Sequence, residues 1–179
     1  HLSQLVNIED ICQDIEFKVF SGPAKDSNAR VVALNVPEGA QLTRKQIDDY
    51  AKFVKIYGAK GLAYIKVNDR SQGIEGLQSP ILKFLTQGTI EAILDRADAK
   101  DQDILFFCAD THKITSEALA ALRVKLGEDL EICESGWRPV WIDDFPMFEK
   151  NERGQWQAIH HPFTAPKEND PDKLKTAPG

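Results

Sequence analysis

No run in this chain approaches the roughly 18 consecutive apolar residues that a membrane span requires, and its start, HLSQLVNIED, lacks the basic-then-apolar pattern of a secretion signal. Cysteine is sparse. The three present, Cys12, Cys108 and Cys133, are an odd number, widely spaced and without a CxxC pair, which excludes a disulfide framework and a zinc ribbon. Basic charge is in deficit, with 22 Lys and Arg against 28 Asp and Glu, a net charge of −6 and a pI near 5.2. No global positive field therefore draws the molecule to nucleic acid or to an anionic membrane, and any RNA contact has to be local. Internal repeats and low-complexity tracts are absent. These absences lead us to expect a soluble, cytoplasmic protein with no membrane partner, and at 42% hydrophobic content its 179 residues suffice for one sizeable core or one core and part of a second.

What is present alternates between helical and strand-like patterns. NIEDICQDI sets Ile8, Ile11, Cys12 and Ile15 at helical spacing behind Asn7, an expected N-cap. EFKVF then reads as a strand that stops at SGPAKDSNA, and RVVALNV (residues 30 to 36) reads as its hairpin partner. Thr43 with Gln46 forms a capping box before Ile47, Tyr50, Ala51, Val54 and Tyr57, and Gly58 stands where a helix C′ residue belongs. GLAYIKV (61 to 67) reads as a strand and NDRSQGIEG as an exposed loop. Two helices follow, SPILKFL with Pro80 at its first position behind Ser79, and TIEAILDRA with Ile90, Ile93, Leu94 and Ala97 on one face. DILFFCA (103 to 109) is a continuous apolar run, expected of a central strand buried on both faces. From Thr115 onward, ITSEALAALRVKLGEDL aligns Ala118, Leu119, Leu122 and Leu126 on one stripe of a further helix.

Strands and helices mix without strict βαβ alternation, which predicts an α+β fold: a two-layer mixed sheet with helices on one face. Past Cys133 the texture changes. All three tryptophans, Trp137, Trp141 and Trp156, fall in WRPVWIDDFPMF and QWQAIHHPF, strand-like segments joined by the turn EKNERG, and a polar tail, TAPKENDPDKLKTAPG, follows. The expected domains are residues 1–135 and residues 136–179, the second a short antiparallel hairpin with a flexible tail.

WRPVWIDDFPMFEK followed by AIHHPFTAPK closely resembles the bacterial form of aspartyl-tRNA synthetase, and EFKVFSGPA, RKQIDDYAKFVKIYGAKGLAYIKVN and ILFFCAD resemble that enzyme's insertion domain, the GAD domain also carried by amidotransferase subunits. The resemblance runs almost end to end. It implies a class II ligase, a homodimer, that uses ATP and Mg to form aspartyl-adenylate and esterifies the 3′ end of tRNA. The family's FRxE-type and GxGxxR-type arginine motifs are not among these residues, so the resemblance implies a middle excerpt, inactive alone, with no catalytic residue of its own. The alternative is a self-standing GAD-type module that binds tRNA or another partner.

Under the resemblance, His160 matches the histidine lining the aspartate pocket and His161 its neighbour at the pocket edge. By themselves, adjacent histidines on a short strand point to opposite faces and are most often structural or surface residues. Asp143 and Asp144 invite a paired-carboxylate reading, but adjacent strand residues diverge, and a metal hydrolase built on them with the two histidines lacks a third ligand cluster; we expect no metal site. Arg44, Lys45, Lys52 and Lys55, with Lys60 just beyond, crowd one helix and make a candidate tRNA phosphate contact that Asp48 and Asp49 dilute. His112 is expected to be solvated before a helix and Cys108 to be an inert core residue.

Overall fold

The computed structural model describes residues 4–133, 135–137, 139, 148–151 and 153–159. The chain divides into two compact units, 1–134 and 135–179. In chain order the first runs β1 (Leu5–Asn7), α1 (Glu9–Cys12), α2 (Lys18–Lys25), β2 (Ala29–Val36), α3 (Arg44–Lys55), β3 (Ala63–Val67), β4 (Leu77–Gln78), α4 (Gln87–Arg96), β5 (Ile104–Thr111) and α5 (His112–Asp129). Short 3-10 turns lie at Gly39–Gln41, Arg70–Gly76 and Leu82–Phe84.

The apolar runs of β2 and β5 dictate the architecture. In β2, Val31 and Ala33 point to one side and Val32, Leu34 and Val36 to the other; β5 divides Leu105 and Phe107 from Ile104, Phe106 and Cys108 in the same way. Every one of these side chains is buried, so both faces need a cover. α1, α2 and α4 supply one through Cys12, Phe20 and Ile93, while α3 and α5 supply the other through Val54, Leu119 and Leu122. Each large core residue contributes about 1.5–3 kcal/mol by leaving water. The sheet is five-stranded in the order β1-β2-β5-β3-β4, and every pairing is antiparallel.

The α+β class and the central, doubly buried β5 are as the sequence predicts. Two details differ: the sheet is antiparallel rather than mixed, and helices cover both of its faces rather than one. A strand as apolar as ILFFCA cannot leave one face to solvent, so the second helical layer follows from the same residues. EFKVF is also not a strand. Lys18–Lys25 is a helix burying Phe20 and Ala24, a spacing of four, and β2 takes β1 and β5 as neighbours instead. Gly22 and Pro23, read as turn residues, lie inside that helix. Asn7 closes β1 rather than capping α1, whose N-cap Ile8 makes no side-chain bond. SPILKFL forms only a 3-10 turn at Leu82–Phe84, and α5 starts at His112, before Thr115, with Thr111 as its N-cap.

One buried carboxylate ties the top of the sheet together. Asp103, 5% exposed, accepts from Asn35 Nδ2 (3.0 Å), the Glu38 N–H (3.2 Å) and the Lys100 N–H (2.9 Å). It thereby holds Glu38 in the left-handed region at φ 56°.

The second unit contains an antiparallel hairpin of β6 (Phe148–Lys150) and β7 (Trp156–Ala158), with Phe148 opposite Ala158. Asn151 makes its turn by accepting from the N–H groups of Arg153 and Gln155, both at 3.0 Å, and Gly154 takes φ 73°. Trp141, Asp143, Asp144, His160, His161 and the tail from 164 lie outside the described residues. Among the described residues no helix is long and apolar enough to cross a membrane.

Candidate nucleic-acid interface

α3 carries its start and stop in its own sequence. The Thr43 hydroxyl accepts from the Gln46 N–H (3.3 Å) and Gln46 Oε1 accepts from the Thr43 N–H (2.8 Å), completing the capping box. At the other end the Gly58 N–H donates to the Lys55 carbonyl (3.0 Å) and the Ala59 N–H to that of Val54 (3.3 Å), a Schellman closure with Gly58 at φ 89°. The two ends define a helix whose rotation is set by Ile47, Tyr50 and Val54, all buried.

Tyr50 locks that rotation. Its ring packs edge-on against Phe106 at 6.2 Å, and its hydroxyl donates to Asp129 Oδ2 on α5 at 3.0 Å. Burial, and then the Asp129 carboxylate, push the phenol up to about 12. Asp129 in turn is held below the usual carboxylate range, first by its hydrogen bond from Lys125.

With that face inward, Arg44, Lys45, Lys52 and Lys55 are all exposed, spread over roughly 16 Å of helix axis. The structure thus places the four predicted cations on one outward surface. Two are engaged: Arg44 Nε meets Asp48 Oδ1 at 3.1 Å and Lys52 Nζ meets Asp49 Oδ1 at 2.8 Å. The hydrogen bond from Lys52 lowers the Asp49 carboxyl and raises the lysine. Lys45 and Lys55 form no ion pair among the described residues and are the charges left for a phosphate. Lys60 lies 3.7 Å from the buried carboxylate of Asp110. His112 is exposed in the first turn of α5, and Cys108 is buried in β5, its thiol pushed up chiefly by desolvation.

A cleft of about 630 Å³ opens beside this helix, with Arg44 and Asp48 on its rim and Lys18 and Phe20 of α2 across from them. The cleft is hidden in the sequence because EFKVF has the look of a strand; the Phe17, Phe20, Ala24 spacing is the signal that points to the helix.

The GAD domain family model matches residues 20–119. The chain belongs to the GAD domain family. The matched GAD region runs from Phe20 in α2 to Leu119 in α5, so it contains β2 to β5, the whole of α3 and all of the cleft lining except Lys18 and Val19. GAD domains are found as insertions in bacterial aminoacyl-tRNA synthetases and are linked to tRNA aminoacylation. Both histidines of the aspartate-pocket expectation lie beyond the GAD match.

Proposed function

We propose that this chain is the insertion domain of an aspartate-tRNA ligase together with a segment of its catalytic domain. The observation that carries the reading is the order of two elements in one chain: the GAD domain over residues 20–119, then WRPVWIDDFPMFEK and AIHHPFTAPK, which resemble the catalytic domain of that enzyme. In this reading His160 contacts the carboxylate of aspartate and His161 stands at the pocket edge. A histidine near neutral pH donates to a carboxylate, or carries positive charge beside a phosphate. The parent is a cytoplasmic homodimer that takes aspartate, ATP and tRNA. Among the described residues no three His, Cys, Asp or Glu side chains converge to hold a metal ion.

The GAD domain in this reading touches tRNA through the outer face of α3. Such contacts neutralise phosphates without reading bases, so affinity falls with salt. Lys45→Glu and Lys55→Glu are expected to weaken tRNA binding several-fold each and to shallow the salt slope by about one unit per charge removed. A tRNA titration of the purified chain at several salt concentrations reads both quantities.

The purified chain alone is expected to give no aspartate-dependent ATP/pyrophosphate exchange, since it contains neither arginine motif for the triphosphate. In the full reading frame those motifs are expected, and His160→Ala should raise the KM for aspartate by about tenfold or more while leaving that for ATP near its original value. A frame without either motif removes the ligase reading and leaves the self-standing tRNA-binding GAD module.

A further inference from the structure

Val67 exchanges main-chain bonds with Asp103 and Gln102 on the β5 side of β3. By strand alternation Lys66, Tyr64 and Leu62 turn theirs to the other side. That side is closed for most of its length: Lys66 pairs with Gln78 of β4, and the Tyr64 carbonyl accepts from the Ser79 hydroxyl. Pro80 follows, with no N–H to continue the ladder. Leu62, just ahead of β3, is the next residue, and among the described residues no hydrogen bond reaches its N–H or its C=O. One donor and one acceptor are thus left side by side in the plane of the sheet.

Leu62 lines the cleft of about 630 Å³, a size inside the ~300–1,000 Å³ range of ligand-holding clefts. The two helical layers supply its walls, Val19 and Phe20 of α2 on one side of the sheet plane, Ile47 and Ala51 of α3 on the other. Val19 is 57% exposed there although apolar. Charge at the rim is mostly answered, Arg44 by Asp48 at 3.1 Å and Lys60 by Asp110 at 3.7 Å. A charged ligand therefore meets no built counter-charge, and a single open residue is too short for an added strand. A flat ring lying in the sheet plane matches what is there. Its polar edge meets Leu62, and its two faces meet the apolar walls.

We infer that this cleft binds a flat, uncharged aminopurine or aminopyrimidine ring, its ring nitrogen accepting from the Leu62 N–H and its amine donating to the Leu62 carbonyl. A free nucleoside and an unpaired base of RNA both present this chemistry. The site is separate from Lys45 and Lys55, neither of which lines the cleft, so it stands or falls apart from the phosphate contacts proposed for α3.

The test follows the backbone amides of the 179-residue chain by heteronuclear NMR while adenosine is added to about 10 mM, enough to populate a millimolar complex. Adenosine should shift the Leu62 amide in a saturable way and slow its hydrogen exchange. Adenosine dimethylated on its amine keeps both ring faces but loses the donor, and should bind at least about fivefold more weakly because the Leu62 carbonyl is left unpaired. Val19→Ser, a change at an exposed position, should weaken adenosine several-fold by stripping one wall. Hexaadenylate RNA separates the two sources. Binding tighter than adenosine with the same Leu62 shift assigns the ring to RNA, and binding no tighter assigns it to free nucleosides. Absence of a Leu62 shift with either probe, or equal binding of the dimethylated nucleoside, overturns the proposal. So does a Leu62 amide already protected from exchange in the ligand-free chain, which assigns the cleft to the chain's own residues.

Discussion

Asp103 shows how much of this fold rests on single polar atoms. Its carboxylate is buried and takes three donors from three segments, so Asp103→Ala leaves those donors unpaired and is expected to destabilise the first unit by about 2–4 kcal/mol. Urea unfolding followed by circular dichroism reads the loss directly. A second residue-scale expectation concerns pH. Tyr50 has its folded pKa raised to about 12 from an ordinary 10.0, so its contribution to stability is complete below pH 10 and is lost as pH rises toward 12. Tyr50→Phe should flatten that alkaline decline relative to the parent chain; equal alkaline slopes would refute the assignment. The cysteines sort by the same physics. Cys12 and Cys108 are buried with raised thiol pKa values, that of Cys12 to about 12, while Cys133 is exposed. A thiol reagent at neutral pH should therefore modify one residue quickly, Cys133, and the other two only on unfolding.

At the scale of elements, α3 is the helix whose limits are local. Thr43→Ala removes one half of its capping box and should cost about 1 kcal/mol. Gly58→Ala forces a Cβ onto φ 89° and should cost a similar amount; thermal melts of each variant check both. Such local chemistry is why α3 and its outward cations were legible from the sequence. α2 was not. Its Gly22 and Pro23 carry turn signals, and what keeps it helical is Phe20, set 5.7 Å from Phe107 of a strand far along the chain. β1 was illegible for a different reason: three residues are too few for a period, and only their register with Val32, Ala33 and Leu34 makes them a strand.

For the whole molecule, the first unit has its own sheet and an apolar core on each face of it. Residues 1–134 expressed alone should therefore unfold in one cooperative transition; non-coincident fluorescence and circular dichroism transitions would contradict this. Charge works against RNA at this scale and for it locally, since a net −6 chain presents Lys45 and Lys55 on one face of one helix. If α3 contacts RNA as proposed, that binding is expected to be weak, salt-sensitive and confined to that face.

By itself the sequence determined whatever depends on neighbours within one or two turns of chain. That includes the caps of α3, the doubly apolar β5, the stripe of α5, the turn at Asn151 and the segments that resemble a tRNA ligase. Only the tertiary structure decided the antiparallel order of the strands, the helical nature of residues 18 to 25 and the half-covered edge of β3. Each of these is settled by residues distant in sequence: Phe107 for α2, β5 for the pairing of β2 and β3, and Pro80 for where β4 stops. Periodicity along a chain tells which side of an element is apolar, but not which other element will cover it.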